Sequence, residues 1–410
     1  MLTRLELTNF KNFKSAALPL GPFNLLIGAN ASGKSNLREA FRFLHALGHG
    51  YTLPEIFGGK WGDGGIQQWS GLRSGKRDVA FYGKKSFSIK IQSLECFYEI
   101  VIEPGMNGDM PLVIEEKIKK LNDSQHIFKT KKRDKDRMTI NFPKFTKKSF
   151  DLFGSYQFIP TLTLSHLPGE FIGNFPGKEF FICENLRVDF ANMRFFDFAP
   201  EFLRKPSIPG QFVLGDRGEN LSSVLQYIFT DSVKKRILLY WLHSLTPMDI
   251  LDIEFEHDSA GKICLVLVEK NGMRVTANSA SDGTLRFLAM LAVFLSPNPP
   301  RLCFIEELET GIHPTRQYLL VDFLERIADE GKTQIIATTH SPQILTFLSP
   351  KNHPFTSLLY RHENRSSASI IPLLDLPDAA RVFKNNTLGQ LHASAWFENT
   401  ASCTNPGKSS

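Results

Sequence analysis

A run of glycine, lysine and serine near the start of this 410-residue chain has the residue types and spacing that bind phosphate. It matches the pattern GxxxxGK[ST] and consists, with the residue that follows it, of Gly28, Ala29, Asn30, Ala31, Ser32, Gly33, Lys34, Ser35 and Asn36. Gly28 and Gly33 allow the backbone to approach phosphates closely. Successive N–H groups and a helix N-terminus supply positive potential, and Lys34 adds a cation. The Ser35 hydroxyl is placed to ligate Mg²⁺, so the run predicts a site for ATP and Mg²⁺.

The elements on either side of this loop have the pattern needed to hold it. Phe23–Ile27 is a continuous apolar run, which is typical of a buried central strand, and it ends at Gly28. From Lys34 to Leu47 the apolar residues recur at helical spacing. The sequence therefore predicts a strand, a phosphate-binding loop and a helix in that order.

Two later strands end in polar residues that could complete the site. The apolar run Leu302–Ile305 is followed by Glu306 and Glu307, and the run Gln334–Thr338 is followed closely by His340. A phosphate-loop fold places its Mg²⁺-side and water-polarising carboxylates after such a strand. Glu306 occupies the Mg²⁺-side position, which is usually Asp, and Glu307 is the candidate that polarises the attacking water. His340 lies where it could donate a hydrogen bond to the γ-phosphate.

The apolar helix predicted over Asp282–Leu295 begins with small residues. Ser279–Thr284 contains serine and glycine at a helix start, which can bind an anion. The same residues can cap the helix, with Ser281 or Asp282 as the N-cap, and both interpretations can hold together.

Composition limits the class of protein without naming a partner. The apolar content of 42% and the charged content of 22% are those of an ordinary globular chain, and the formal net charge of +6 allows a nucleic-acid partner without requiring one. The five cysteines have no CxxC spacing, so we expect neither a zinc site nor a disulfide framework. We expect no secretory signal, and the longest apolar stretch, Phe287–Leu295, is too short to span a bilayer. We expect a cytoplasmic protein that does not enter a membrane.

The middle of the chain differs in character from both ends. Lys117–Lys148 is strongly basic and could contact DNA or RNA, although a solvated loop has the same composition. Residues 150–209 are rich in Phe and Pro without a clean period, and we predict that Glu95–Pro209 is an insertion. The second half alternates strand and helix, which indicates a parallel or mixed sheet covered by helices. The polar tail Ala401–Ser410 is predicted to be disordered.

Five ordered motifs together resemble a known family. They are TNFKNF, GANASGKSNL, ASDGTLRFLAMLA, LCFIEELETGIHP and QIIATTHSP. The set resembles the RecF/SMC-like branch of ABC-class ATPases, in particular the compact "AAA family ATPase" proteins of bacteria, which are related to the heads of overcoming-lysogenization-defect (OLD) nucleases. The resemblance covers about residues 1–50 and 210–375.

The resemblance implies an α/β fold of ABC-type head architecture. In this fold a mixed or parallel central sheet has flanking helices, and an antiparallel β subdomain and an inserted lobe accompany it. We predict the N-terminal part of the head at 1–94, the inserted lobe at 95–209, the C-terminal part of the head at 210–375, and an extension with a disordered tail at 376–410.

The resemblance also implies a site completed by a second copy of the chain. Ser281 and Gly283 correspond to a signature loop that covers the γ-phosphate held by the opposite subunit of a head-to-head homodimer, or of a higher even oligomer. The loop departs from the common LSGGQ form at Ala280, Asp282 and Thr284. Gln67 or Gln68 could sense Mg²⁺ and the γ-phosphate, and nothing in the spacing chooses between them.

The resemblance implies that the protein hydrolyses ATP and couples the ATP cycle to a partner effector or to nucleic acid, in anti-phage defence or DNA repair. OLD nucleases carry an acidic C-terminal metal module that this sequence lacks, so nuclease activity would reside in a separate partner protein. The substitutions at Glu306 and in the signature loop leave an alternative, a nucleotide-dependent scaffold with little turnover that holds a toxin or nuclease. The TNFKNF motif and the long insertion argue against a transporter subunit.

Overall fold

The computed structural model describes residues 1–73, 75–105, 109–132, 137–141, 149–153, 177–245, 250–361 and 367–403. In chain order the strands are β1 (Leu2–Phe10), β2 (Phe13–Pro19), β3 (Phe23–Ile27), β4 (Lys60–Trp61), β5 (Gln67–Trp69), β6 (Phe87–Ser93), β7 (Cys96–Glu103), β8 (Leu112–Lys120), β9 (His126–Lys132), β10 (Arg137–Asn141), β11 (Ser149–Phe153), β12 (Met193–Phe196), β13 (Ile250–His257), β14 (Ile263–Glu269), β15 (Arg274–Thr276), β16 (Leu302–Ile305), β17 (Gln334–Thr338), β18 (Thr356–Arg361) and β19 (Ala368–Pro372). The α-helices are α1 (Lys34–Gly48), α2 (Leu53–Gly58), α3 (Gly177–Ala191), α4 (Pro200–Leu203), α5 (Leu221–Phe229), α6 (Ser232–Leu245), α7 (Asp282–Leu295), α8 (Gln317–Asp329), α9 (Pro342–Phe347), α10 (Ala379–Val382), α11 (Leu388–Ala393) and α12 (Trp396–Cys403).

A six-stranded sheet carries the phosphate loop. Its strand order is β12-β16-β17-β3-β18-β19, in which the first five strands are parallel and β19 is antiparallel at one edge. Every residue of β3, β16 and β17 is buried, as expected for strands that are covered on both faces. The predicted mixed sheet is therefore confirmed. The carboxyl ends of the parallel strands lie at one edge, so the segments after β3, β16 and β17 come together there.

An eight-stranded antiparallel sheet forms the second layer, in the order β11-β10-β9-β8-β7-β6-β1-β2. β6 and β7 alternate buried and partly exposed residues, the pattern of a sheet with one solvated face. Smaller sheets are formed by β13-β14-β15 and by β4-β5. The antiparallel β subdomain predicted for the head is therefore present.

Helix α1 packs between the two large sheets. The Phe41 ring lies 6.3 Å from the ring of Phe304 in β16, and the Phe43 ring lies 6.0 Å from the ring of Phe87 in β6. Leu37, Phe41 and Leu44 are fully buried. Because opposite faces of α1 contact different sheets, burial on both sides fixes the direction of the helix and the position of its N-terminus at the phosphate loop.

Two features differ from the predicted boundaries of the inserted lobe at 95–209. The boundary at residue 95 falls inside the hairpin of β6 and β7, which belong to one sheet. Strand β12 lies within the predicted lobe but pairs in parallel with β16, so it belongs to the nucleotide-binding sheet. The physical reason is long-range pairing, which the local pattern of Met193–Phe196 does not reveal.

The C-terminal segment is more ordered than we predicted. Helix α12 extends to Cys403, and the side chains of Phe397 and Ala401 are fully buried in the core. The prediction of a disordered tail from Ala401 is wrong for residues 401–403, because apolar burial outweighs their polar neighbours, and residues 404–410 lie outside the described residues. Within the part of the chain that the structure describes, no helix is both long enough and apolar enough to cross a bilayer.

Candidate nucleotide site

The phosphate loop has the backbone geometry that its sequence requires. Gly28 has a φ of 141°, and a methyl group built on its Cα would lie 2.2 Å from the carbonyl oxygen of Leu359 in β18, so a side chain is excluded there. Lys34 donates hydrogen bonds from Nζ to the carbonyl oxygens of Gly28 and Ala29, which brings its ammonium group over the loop. The buried hydroxyl of Ser32 has no hydrogen-bond partner among the described residues.

Opposing effects act on the pKa of Lys34. Burial lowers this pKa, and the carboxylates of Glu307, Glu306 and Glu309, in that order, raise it. The acids following β16 are therefore close enough to Lys34 to act on its ammonium group. The predicted convergence of Lys34 with Glu306 and Glu307 is therefore present in the structure.

The loop and the strand ends enclose one open cavity of about 440 Å³. Its described lining residues are Asn12, Asn30, Ala31, Gly33, Lys34, Ser35, Asn36, Arg73, Glu306, Glu307, Thr338, His340 and Arg361. The volume is in the range of small-ligand sites. Most of the predicted site residues within one chain thus border a single cavity.

Glu307 is held in an unusual backbone conformation. Its φ is 48°, in the left-handed region that residues other than glycine seldom adopt. Its N–H donates to the hydroxyl of Thr338 at 2.9 Å, and the hydroxyl of Thr310 donates to its carboxylate at 3.2 Å. The N–H of Leu308 donates to the carbonyl oxygen of Thr338 at 3.0 Å. The end of β17 therefore fixes the backbone that carries the Glu307 carboxylate.

Glu309 has a structural role. One of its carboxylate oxygens accepts the hydroxyl hydrogen of Thr339 at 2.7 Å, and the other accepts the N–H of His340 at 2.7 Å. Its carboxylate is therefore engaged by the loop after β17, which leaves Glu307 as the better candidate for polarising water. The bonds also tie the loops that follow β16 and β17 to each other.

The imidazole of His340 lines the cavity and is exposed. Its pKa is lowered, first by burial and then by the nearby Lys34 ammonium, while Glu309 and Glu307 oppose the shift. A neutral imidazole can donate one hydrogen bond to a phosphate oxygen at neutral pH. The hydrogen bond from His340 to the γ-phosphate stays a prediction.

The signature loop lies outside this cavity. Ser281 is the N-cap of α7, since its hydroxyl accepts the N–H of Thr284 at 3.1 Å. Ser281 and Asp282 are exposed, and neither they nor Gly283 border the described cavity of the same chain. Of the two capping alternatives, the structure selects Ser281.

An arginine pairs with the acid of the predicted signature loop. The guanidinium group of Arg204, just after α4, forms a salt bridge with Asp282 and donates to the carbonyl oxygen of Ala280 at 3.0 Å. A carboxylate at a helix start that binds phosphate would repel the anion. The salt bridge with Arg204 offsets that charge.

A glycine pair joins the signature loop to the loop after β16. A methyl group built on Gly283 would lie 1.8 Å from the carbonyl oxygen of Gly311, so the two backbones are in direct contact. Gly311 is four residues beyond Glu307 in the same loop. The start of α7 and the segment that carries Glu307 are therefore packed against each other.

The structure leaves the predicted glutamine unassigned and adds residues that we did not predict. Gln67 and Gln68 are exposed in β5 and do not belong to the described lining of the cavity, so neither is selected.

Arg73 lines the cavity, although we did not predict it. Glu39 accepts the backbone N–H of Arg73 at 2.6 Å, and Lys11 donates to the carbonyl oxygen of Arg73 at 2.8 Å. The only sequence signal for Arg73 is its place in the glycine-rich stretch before β6.

The oxygen donors at this site suit a Mg²⁺ ion that is held together with a bound triphosphate, and not a metal ion held by protein side chains alone. The Ser35 hydroxyl and the Glu306 and Glu307 carboxylates are hard oxygen donors beside a phosphate loop, the set with which proteins hold Mg²⁺ together with a bound triphosphate. Over the described ranges, no group of three or more His, Cys, Asp or Glu side chains could hold a metal ion alone.

The structure describes only part of the basic stretch Lys117–Lys148, and some of its lysines form salt bridges with glutamates. Lys117 lies 2.9 Å from Glu99 and 3.5 Å from Glu115, and Lys129 lies 3.2 Å from Glu115. These pairs reduce the positive charge of strands β8 and β9. Nucleic-acid binding by this stretch stays a prediction, since much of it lies outside the described side chains.

Comparison with known proteins finds ATPase-domain sequence in two parts of the chain. A family model described as "AAA ATPase domain" matches residues 1–160, and one described as "AAA domain, putative AbiEii toxin, Type IV TA system" matches residues 227–346. An ATP/GTP phosphatase of Helicobacter pylori is 24% identical over 367 residues, which cover 85% of this chain and 87% of the relative. A DNA replication and repair protein RecF of Klebsiella pneumoniae is 52% identical over 56 residues, 13% of this chain and 15% of RecF. The chain thus matches only a small part of the length of that RecF protein.

Among solved structures, an SMC head bound to the C-terminal winged-helix domain of ScpA aligns with a TM-score of 0.47 at 12% identity, over 90% of this chain and 97% of the other. The strand order, the phosphate loop and the two ATPase-domain matches carry the assignment of the fold. The relation to OLD nucleases stays a prediction. The two family models identify AAA ATPase-domain sequence at residues 1–160 and 227–346 of this chain.

Proposed function

We propose that two copies of this chain close head to head over two molecules of ATP and Mg²⁺, and that hydrolysis reopens the dimer. The observation that carries the proposal is the separation of the site into two surfaces. The phosphate loop, Glu307 and His340 share one cavity, whereas the exposed start of α7, with Ser281 and Gly283, lies outside it. A helix start can bind an anion through its backbone N–H groups, and a second copy can bring those that Ser281 does not cap to the γ-phosphate.

Each residue of the cavity has a chemical task in this proposal. Loop N–H groups and Lys34 bind the phosphates, and Ser35 with Glu306 would hold Mg²⁺, which neutralises phosphate charge when bound. The Glu307 carboxylate, whose backbone is fixed by Thr338 and which Thr310 contacts, accepts a hydrogen bond from the attacking water and orients it. His340 donates a hydrogen bond to the γ-phosphate. Positioning and charge stabilisation supply most of the rate enhancement in phosphoryl transfer.

A partner would use the opening and closing of the dimer. We propose a separate effector protein such as a nuclease or toxin, or nucleic acid bound at Lys117–Lys148, in anti-phage defence or DNA repair. The family description that mentions a toxin system and the match to a RecF protein support this context.

The site can be tested by binding a fluorescent ATP analogue with and without Mg²⁺. We expect Lys34→Ala to weaken Mg²⁺-dependent binding by at least about 100-fold, because a partly buried cation that contacts phosphate is lost. Lys14→Ala is the matched control, since Lys14 is exposed in β2. Binding by Lys34→Ala that equals the parent and the control would contradict the proposed site.

Dimer closure and turnover need a separate measurement. We expect Glu307→Gln to retain ATP binding, to lose about 100-fold or more in turnover, and to accumulate as a dimer with ATP in light scattering. A monomer at all ATP concentrations would contradict the dimer.

The nucleotide-dependent scaffold is the second candidate, and two substitutions favour it. Glu306 stands at a position that is usually Asp, and Asp282 adds a carboxylate to the signature loop. If the parent and Glu307→Gln have the same low turnover while both bind ATP, the scaffold is the correct function.

A further inference from the structure

Arg38 connects the phosphate-loop helix to the first acid after β16. It lies in α1 one helical turn beyond Lys34, and its Nη1 is 3.5 Å from Oε1 of Glu306. Its Nη2 donates to the carbonyl oxygen of Phe195 in β12 at 3.4 Å, and its guanidinium carbon lies 5.9 Å from the centroid of the Phe195 ring. The Arg38 side chain is 16% exposed and that of Glu306 is 31% exposed. The pair is thus partly withdrawn from water, where ionic contacts are screened less than at the surface.

The length of Glu306 explains why such a partner is needed. A glutamate carries its carboxylate about 1.5 Å further from the backbone than an aspartate, with one more rotatable bond. An unrestrained carboxylate of this length would sample positions away from the Mg²⁺ side of the phosphate site. The Arg38 guanidinium also contacts the Phe195 carbonyl oxygen and ring, so its planar group has fewer positions open to it than an unrestrained side chain.

Charge leads to the same conclusion. Glu306, Glu307 and Glu309 all act on the Lys34 ammonium. Glu309 is bound by hydroxyl and N–H donors of the loop after β17, and Glu307 by Thr310. Arg38 provides Glu306 with a cation, which lowers the net negative charge beside the place where the triphosphate must bind.

We propose that Arg38 is a positioning residue, which holds the Glu306 carboxylate so that a glutamate performs the Mg²⁺-side task of the usual, shorter acid. The inference rests on the proposed function. It differs from a purely structural role, in which Arg38 would only join α1 to β12.

A Mg²⁺ titration of ATP-analogue binding separates these roles without measuring turnover. We expect Arg38→Leu to raise the Mg²⁺ concentration needed for half-maximal binding about 10-fold, and Arg38→Lys to raise it less, since a lysine keeps the charge without the planar contact. In a Glu306→Asp background the shorter carboxylate does not reach the guanidinium, so Arg38→Leu should shift the titration by less than about 2-fold.

The outcomes distinguish the failure of this inference from the failure of the proposed function. An equal shift in both backgrounds, or a lower unfolding temperature with an unchanged Mg²⁺ titration, would show a structural role and overturn the inference alone. If Arg38→Leu does not fold, Arg38→Lys and Glu306→Asp with their double variant supply the same comparison. A parent protein that shows no Mg²⁺-dependent binding would overturn both.

Discussion

The contact between Gly283 and Gly311 offers a sharp test of how the signature loop and the catalytic loop are joined. Substituting Gly283 by alanine places a methyl group 1.8 Å from the carbonyl oxygen of Gly311, whereas real contacts of a Cβ atom are essentially never shorter than 3.0 Å. The two backbones must therefore separate by at least about 1.2 Å, the difference between these distances. Neither partner is a flexible side chain that could move aside.

The consequence for catalysis follows from the connection to Glu307. Thr310, next to Gly311, donates its hydroxyl hydrogen to the Glu307 carboxylate at 3.2 Å, so displacement of the loop alters the position of that acid. A misplacement of 1 Å can reduce a rate about 100-fold. We expect Gly283→Ala to lose about 10- to 100-fold in ATP turnover, with ATP binding changed less than about 3-fold because the phosphate loop is untouched. Overpacking of this kind also destabilises a fold by about 1–3 kcal/mol.

Steady-state hydrolysis, analogue binding and thermal unfolding of the same preparations measure the three effects. Gly58→Ala is the matched control, since Gly58 is exposed, has no positive φ, and has no heavy atom within 4 Å of the added methyl group. Its turnover and stability should equal those of the parent. Turnover of Gly283→Ala at the level of this control would refute the packing of α7 against the catalytic loop.

Three further predictions test individual side chains. Arg204→Leu should weaken ATP-dependent dimer formation about 10-fold, because it frees the Asp282 carboxylate to repel phosphate, and Asp282→Asn in the same chain should restore it, as measured by light scattering. Thr338→Val leaves the N–H of Glu307 without its acceptor, which should lower the free energy of unfolding by about 1–3 kcal/mol and reduce turnover about 10-fold. Thr338→Ser keeps the hydroxyl, so its stability and turnover should equal those of the parent. Burial lowers the pKa of His45 to about 3, below its ordinary 6.5, so the unfolded chain binds this proton more readily. The contribution of His45 to the free energy of unfolding is therefore complete above about pH 6.5, and it decreases below that pH, by about 2 kcal/mol at pH 5. In denaturant titrations, His45→Asn should not show this decrease.

The sequence predicts the site's elements best where local pattern and chemistry coincide. The segments Phe23–Ile27, Leu302–Ile305 and Gln334–Thr338 are continuous apolar runs, and the structure has strands with these bounds. Since all three are parallel neighbours in one sheet, their carboxyl ends meet, and Lys34 and Glu307 are brought together as expected.

The supporting contacts could not be predicted in the same way. The pairs Arg38–Glu306 and Arg204–Asp282 join residues far apart in the sequence, and no local period relates them. Thr338 reads as the last residue of a buried strand, so its bond to the N–H of Glu307 becomes visible only in the folded chain. Strand β12 is the four-residue segment Met193–Phe196, which includes Arg194, in a phenylalanine-rich stretch where any of several segments could supply an edge strand.

The position of β3 between β17 and β18 has a consequence for how the chain is made. The Asn24 side chain donates to the carbonyl oxygen of Ile335, 311 residues later, and β3 pairs on its other side with a strand that ends at Arg361. Ribosomes release the N-terminus first, so the phosphate-loop strand has no parallel neighbours until most of the polypeptide has been synthesised. Contacts of such high sequence separation form slowly. A nascent chain would therefore expose both edges of the phosphate-loop strand for much of its synthesis, which favours assistance by chaperones.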